Sequence, residues 1–466
     1  MKNQTFALYF GNRGFFPETL IDSARNELIQ AVTNAGYEAL VMDSNLTKFG
    51  AVETQDEGKK YAQWLKENEG NYDGVIICLP NFGDENGAVY AMRDVKTPIF
   101  IQAYPDEIGK MDFLHRRDAF CGKLSIMDMF LQYNIKFTVA KPHTVHPLSD
   151  AFTKNLHDFS AICRVVNGTK RFTIGAIGSI TTAFKTVRYD EVALQKLGVT
   201  IDSYDLSELF TRTKNVDIHS DKLIAKKEHL RNYTNCCNVP EEKMNMLSAI
   251  SVAIDNMIAE YHLDAISLRC WTEMQSELGV APCVLLSELN DRGIAASCEM
   301  DVCNAVIMHA LKLASNEPAM CLDWNNNYSD DENKCILFHC GPIAQTHMTS
   351  KGLVTDHKMF AKSGGAGCGW GSNEGRIKAF SMTYASGKTD NGIFSVYLGE
   401  GEFTNDKIEP EFFGCGGVAK IDNLQEKLIH IGKNGFRHHT AATSSHCEFA
   451  LREAFSNYLG YNIIEI

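Results

Sequence analysis

Short apolar runs alternate with amphipathic stretches through the first hundred residues. Residues 6–10 are apolar throughout and predict a buried strand; a loop over 11–17 follows, then residues 18–35, where Leu20, Ala24, Leu28, Ala31 and Val32 recur at helical spacing. Residues 37–42 read as the next strand and the region around 57–67 as a helix. The run 74–80 is short and apolar enough to be buried on both faces. A helix around 87–93 and a strand over 98–101 continue the alternation, which is that of a doubly wound α/β domain.

The pattern restarts near Arg171. Strands are predicted over 172–177 and 199–204, with a helix around 189–197 between them, and a long helix begins at Val239-Pro240 and runs to Tyr261. Residues 264–268 form a strand that ends in Arg269-Cys270-Trp271-Thr272-Glu273. The stretch 293–323 reads as strand, helix, strand, with Glu299 and Asp323 each the last residue of its strand. Residues 336–342 then end the α/β portion. From about 346 to 440 short alternating runs such as 379–384 and 392–397 are separated by Gly, Asn and Asp turns, which predicts an antiparallel barrel or sandwich; a helix over 447–459 and a strand over 462–466 close the chain. The organisation expected is α/β: two doubly wound α/β domains, 1–170 and 171–345, followed by a C-terminal antiparallel β-barrel domain, 346–466.

A chain of 466 residues is too long for one core. Its formal net charge of −13, with no compensating basic cluster, argues against a nucleic-acid or anionic-membrane partner and favours a small molecule. No apolar run reaches the length of a membrane span, and Arg13 within the first apolar stretch, with no small-residue cleavage site, argues against a signal peptide. The fifteen cysteines include no Cys-x-x-Cys pair and are scattered through predicted strands and helices. Buried free thiols in a reducing cytoplasm are therefore expected.

In an open parallel sheet the ligand crevice lies beyond the carboxyl ends of the strands, so Glu299 and Asp323 are expected to face one crevice. A carboxylate ending a strand is also a common helix N-cap or turn residue. What favours chemistry is a third group, Phe436-Arg437-His438-His439-Thr440, because two carboxylates and an imidazole suit a hard or borderline divalent cation such as Mn²⁺, Mg²⁺ or Co²⁺. Such a cation holds the carbonyl and neighbouring hydroxyl of an open-chain sugar and acidifies the proton between them, and one carboxylate then moves that proton by way of a cis-enediol. Trp271 and Gln275 also lie beyond a strand's carboxyl end, as a sugar platform or as a lid on the core. The loop with Gly11 and Gly14 lacks the third glycine of a dinucleotide fingerprint, and Arg13 within it reaches a sugar hydroxyl or another subunit, or is a solvated loop residue. The glycine-rich segment 363–375 lacks the lysine and hydroxyl of a phosphate loop and reads as a mobile surface loop.

Asn12-Arg13-Gly14, the segments 117–123 and 182–188, Glu299, Asp323 and His438-His439-Thr440 together carry a resemblance to the L-fucose isomerase and L-arabinose isomerase superfamily over most of the chain. The resemblance implies a metal-dependent aldose-ketose isomerase, usually with Mn²⁺, in the cytoplasm, assembled as trimers or hexamers. By position Glu299 and Asp323 match the two acidic ligands, which in fucose isomerases are also the acid and base. His439 matches the ligand histidine. Arg13 matches an arginine that helps hold substrate, in a loop that enters a neighbour's active site. Trp271, Gln275, His438 and His339 are further candidates for substrate contact. Arabinose isomerases carry Glu where this chain has Asp323, and an additional ligand histidine near which His339 lies, so the site leans towards the fucose type. The substrate stays open between neutral aldoses and sulfoquinovose, a sulfonated glucose. The alternative in a different class is a non-catalytic sugar-binding or regulatory protein on the same fold.

Overall fold

The computed structural model describes residues 3–181 and 183–466, so Met1, Lys2 and Thr182, the first residue of one resembling segment, lie outside the described residues. The chain divides into two compact units: Met1–Asn167 with Glu453–Leu459, and Gly168–Arg452 with Gly460–Ile466.

In the first unit β1 (Thr5–Phe10), β2 (Glu38–Val41), β3 (Gly74–Leu79) and β4 (Ile99–Ala103) form a parallel sheet in the order β2-β1-β3-β4. Alternation along β1 explains the two layers. Phe6, Leu8 and Phe10 pack against Ile21, Ala24, Leu28 and Val32 of the helix Thr19–Asn34, while Ala7 and Tyr9 face Tyr61, Leu65 and Ala88 on the other side. The helix buries Ile21 rather than the expected Leu20. At the carboxyl ends Asn81 Nδ2 donates to Asn12 Oδ1, and Asn81 Oδ1 accepts from the backbone N–H of Arg13 (3.3 Å), which fixes the loop carrying Arg13.

In the second unit β5 (Phe172–Ile177), β6 (Val199–Tyr204), β7 (Ala265–Leu268) and β8 (Ala295–Cys298) form a second parallel sheet in the order β6-β5-β7-β8. The remaining strands are β9 (Ala319–Asn327), β10 (Lys334–His339), β11 (Leu353–Asp356), β12 (Trp370–Arg376), β13 (Phe380–Asp390), β14 (Ile393–Phe403), β15 (Cys415–Lys420), β16 (His439–Thr443) and β17 (Asn462–Ile463). They form one nine-stranded sheet in the order β11-β12-β15-β10-β9-β16-β13-β14-β17, with a further pairing between β14 and β15. This sheet is mixed, because β12–β15 and β14–β17 run parallel among otherwise antiparallel pairs. The β13–β14 hairpin turns at Asn391-Gly392, both at positive φ, the conformation a two-residue hairpin requires.

Two expectations are corrected. Asp323 does not end a strand beside β8: β9 continues to Asn327 and pairs antiparallel with β10 and β16. Met320 and Leu322 bury one face of β9 against Leu337, Met382, Tyr384 and Ala442, and the polar tail Asn325-Asn326-Asn327 is held as strand by β10 rather than forming a turn. Nor is 363–375 a surface loop throughout. Asp356 accepts from the backbone N–H groups of Gly367 (2.6 Å) and Gly369 (2.9 Å), and the chain then enters β12, where Ser372 and Asn373 are fully buried. All fifteen cysteines are free, and among the described residues no helix is long and apolar enough to cross a membrane.

Candidate active site

The parallel sheet ends at Cys298, and the next two residues, Glu299 and Met300, both adopt φ 61° in the left-handed region. Each such residue costs about 1–3 kcal/mol and persists only where its surroundings hold it. Here the backbone N–H of Met300 donates to Leu268 O (3.3 Å) and that of Asp301 to Cys298 O (3.1 Å). Asp301 then caps the helix Val302–Ser315, its Oδ1 accepting from the Asn304 N–H (3.1 Å). The turn aims the Glu299 carboxylate away from the parallel sheet.

What it meets comes from the nine-stranded sheet. His439 stands directly opposite Asp323 in the β16–β9 ladder. Its Nε2 lies 3.0 Å from Glu299 Oε2 and 3.4 Å from Asp323 Oδ1, and its Nδ1 lies 2.8 Å from Asp301 Oδ2. Asp301 is also paired with Arg437, and Asp301, Arg437 and His439 are all buried. His438 is the exposed member of the pair, with Nε2 3.8 Å from Asp323 Oδ1. Phe184 packs its ring against Trp271, His438 and His439, with centroids 5.7, 5.3 and 5.7 Å away.

The two carboxylates differ electrostatically. Burial by itself raises the pKa of Glu299, but the hydrogen bond from His439 and the charges of His339 and His439 bring it below the ordinary value. Asp323 is held above its ordinary value by burial, with Glu299 nearby adding to the rise against the opposing histidines. Burial lowers His439, yet Cys321, Asp301, Glu299 and Asp323 around it outweigh that and hold it well above the usual imidazole value.

Asp323 Oδ1 is buried and has no hydrogen-bond partner among the described residues, the condition of an oxygen that awaits a cation or a ligand hydroxyl. Glu299, His438 and His439 offer one ligand atom each within 4.8 Å of one another, and so do Cys321, His339 and His439. Carboxylate oxygens with one imidazole fit Mn²⁺, Co²⁺ or Mg²⁺. His339 fits a different role. Its Nδ1 accepts the Cys340 backbone N–H (2.9 Å), while its Nε2 is buried and unpartnered among the described residues, free to meet a ligand.

Glu299 and Asp323 open onto a cavity of about 450 Å³ lined also by Asn325, Asn326, Phe338, His339, Met359, Glu411, Phe412 and Phe413. A second cavity, of about 390 Å³, shares Glu299 and Cys340 with it and is lined by Trp271. Gln275 does not reach into either lining: its Nε2 donates to Cys270 O (2.8 Å) and Val280 O (3.1 Å) and braces the loop after β7. Arg13 belongs to the first unit, where it pairs with Glu85, donates to Gly83 O (2.9 Å) and lies over the Phe82 ring. Asp301, Arg437 and Phe184 were not singled out by the sequence reading, although Asp301 lies two residues after Glu299, Arg437 two before His439, and Phe184 inside a segment that carries the resemblance.

Residues 7–170 match the fucose/sulfoquinovose isomerase N-terminal domain family and residues 337–466 match the L-fucose isomerase C-terminal domain family. The chain is 28% identical over 389 residues to a sulfoquinovose isomerase of Priestia aryabhattai, which covers 82% of this chain and 83% of that one. It is 26% identical over 315 residues to a sulfoquinovose isomerase of Alkalicoccus urumqiensis, covering 66% of this chain and 68% of that one. A sulfoquinovose isomerase of Clostridium sp. (strain MSTE9) is 25% identical over 199 residues, 42% of this chain and 44% of the other.

Proposed function

The chain belongs to the fucose isomerase-like family and is an aldose-ketose isomerase, and from that premise we propose that it converts open-chain sulfoquinovose to its 2-ketose at a divalent-cation site formed by Glu299, Asp323 and His439. The observation that carries this reading is the approach of both carboxylates to His439 Nε2, at 3.0 and 3.4 Å, across two sheets. A Mn²⁺, Co²⁺ or Mg²⁺ ion held there supplies Lewis-acid polarisation of the sugar carbonyl and its neighbouring hydroxyl. Glu299, the more acidic carboxyl, takes the proton from C2 and returns it to C1. Asp323, the less acidic one, gives a proton to O1 and takes one from O2, so the reaction passes through a cis-enediol with no net gain or loss of protons. His339 donates from Nε2 to a substrate hydroxyl in the first cavity, Trp271 lines the second, and His438 stands beside Asp323. The intact pair of carboxylates with an imidazole weighs against the non-catalytic alternative.

A neutral 6-deoxy sugar such as L-fucose is the second reading, favoured by the cavity lining, where Phe338, Met359, Phe412, Phe413 and Glu411 are apolar or acidic rather than basic. A sulfonate then requires a cation from elsewhere. In the proposed assembly Arg13 of a neighbouring copy supplies it, in a homo-oligomer with shared active sites. The first unit exposes Phe15, Ile108, Phe113 and Leu114 at 67–96% of their surface, apolar area available to another chain in that assembly.

The test is a panel of sulfoquinovose, L-fucose, D-arabinose and L-arabinose assayed on protein stripped with EDTA and reloaded with Mn²⁺ or Co²⁺, with mass measured by light scattering. Loss of activity on stripping, restoration by Mn²⁺ or Co²⁺, the highest kcat/KM on sulfoquinovose and a mass above one chain are expected. Full activity in metal-free protein overturns the cation role, a preference for L-fucose overturns the substrate, and a fully active monomer overturns the shared site.

A further inference from the structure

His439 is fully buried, and its two ring nitrogens lie between three carboxylates: Asp301 at Nδ1, Glu299 and Asp323 at Nε2. A neutral imidazole carries one proton, so the ring has two tautomers, and only the one protonated on Nδ1 leaves a lone pair on Nε2 for a cation. Glu299 and Asp323 by themselves draw the proton to the wrong nitrogen. Something must hold it at Nδ1.

We infer that Asp301 and Arg437 are positioning residues that fix His439 in its cation-binding tautomer, Asp301 by accepting the Nδ1 proton and Arg437 by holding that carboxylate in place. This rests on the reading of Glu299, Asp323 and His439 as the residues that hold the cation. The geometry is specific. Asp301 spends Oδ2 on His439 (2.8 Å), and its Oδ1 accepts from the Asn304 N–H (3.1 Å) and from Arg437, so the carboxylate is held from three sides. Arg437 itself is 5% exposed and reaches towards Arg188 O (3.5 Å). The chain supplies this support economically. In each of two short segments a ligand and a supporting residue stand two positions apart: Glu299 with Asp301 after β8, and Arg437 with His439 at the start of β16. The supporting residue of each segment then contacts the other segment, so neither ligand moves without the other's support. Partners of this kind orient metal-bound imidazoles and raise their basicity, and their loss commonly lowers metal affinity about 10- to 100-fold.

Mn²⁺ affinity of the full chain, measured by competition with a fluorescent chelator, tests the inference on the parent and on Asp301→Asn, Asp301→Ala and Arg437→Lys. Asp301→Asn keeps an acceptor and a helix cap but not the charge, so its Mn²⁺ dissociation constant is expected to rise about 10-fold, and that of Asp301→Ala towards 100-fold. Saturating Mn²⁺ is expected to return kcat of Asp301→Asn close to the parent value, which separates a defect in holding the cation from one in the chemistry. Folding of each variant is checked by thermal unfolding in chelator. If Asp301→Ala does not fold, Asp301→Asn and Arg437→Lys carry the test. Parent-like Mn²⁺ affinity in folded Asp301→Asn and Arg437→Lys overturns the positioning role. No Mn²⁺ binding by the parent instead overturns the cation site itself.

Discussion

Glu299→Gln is expected to lower turnover by about 10²- to 10⁴-fold, the range for loss of a positioned general base, while leaving the protein folded. The substitution is isosteric, so the amide fits the place of the carboxylate, 3.0 Å from His439 Nε2 in the parent. The turn that holds position 299 at φ 61° is fixed by backbone hydrogen bonds from Met300 and Asp301, which the side chain does not make. What the amide cannot do is take a proton from carbon. Asp323→Asn is expected to fall in the same range, because Asp323 occupies a strand interior whose ladder bonds are main-chain and whose side chain faces the cavity. Steady-state assays beside circular dichroism check both. Turnover within a few-fold of the parent in either variant removes that carboxylate from the proton transfer.

The largest effect on cation affinity is expected from His439→Ala, greater than the roughly 10- to 100-fold typical of supporting residues, since in the proposed site a ligand and not its partner is lost. His438→Ala is expected to change affinity little. The two neighbours differ in environment: His439 is fully buried with both nitrogens facing carboxylates, whereas the side chain of His438 is 40% exposed and its nearest carboxylate oxygen is 3.8 Å away. His438 packs against the Phe184 ring and stands beside Asp323, so its removal is expected to appear in KM. Mn²⁺ titrations of activity and of chelator competition separate the two. A greater metal requirement in His438→Ala than in His439→Ala reverses the assignment.

The parts of the fold legible in the sequence are those whose periodicity is local. Strands over 172–177 and 199–204 are found at the expected limits because each is a compact run with helices beside it. Most of the first parallel sheet was equally readable, since β1, β3 and β4 are buried along their whole length. Sheet membership is another matter. A strand, helix, strand pattern reads the same whether or not the second strand returns to the first sheet, and the partners that draw β9 away, β10 and β16, start 15 and 120 residues after it begins, at Lys334 and His439 against Ala319. Residue type exposed Glu299, Asp323 and His439 as candidates, and the structure brings them together by a route the pattern did not contain. Asp301 escaped notice for a physical reason: it is an ordinary helix N-cap by sequence, and only the fold shows that its second oxygen meets His439.

The division of ligands between layers also bears on stability. Glu299 issues from the parallel sheet, Asp323 and His439 from the mixed one, and all three lie in the second compact unit. At the proposed site a cation held by all three would clamp the two layers of that unit and be released when it unfolds. By mass action, a cation at 100 times its dissociation constant stabilises the native unit by about 2.7 kcal/mol. At roughly 2–4 °C per kcal/mol the midpoint for that unit climbs with Mn²⁺ concentration. None of the three proposed ligands lies in the first unit, so in scanning calorimetry its transition is expected to stay where it was as Mn²⁺ is raised. Two midpoints moving in step with the ion would mean that the clamp is not confined to one unit.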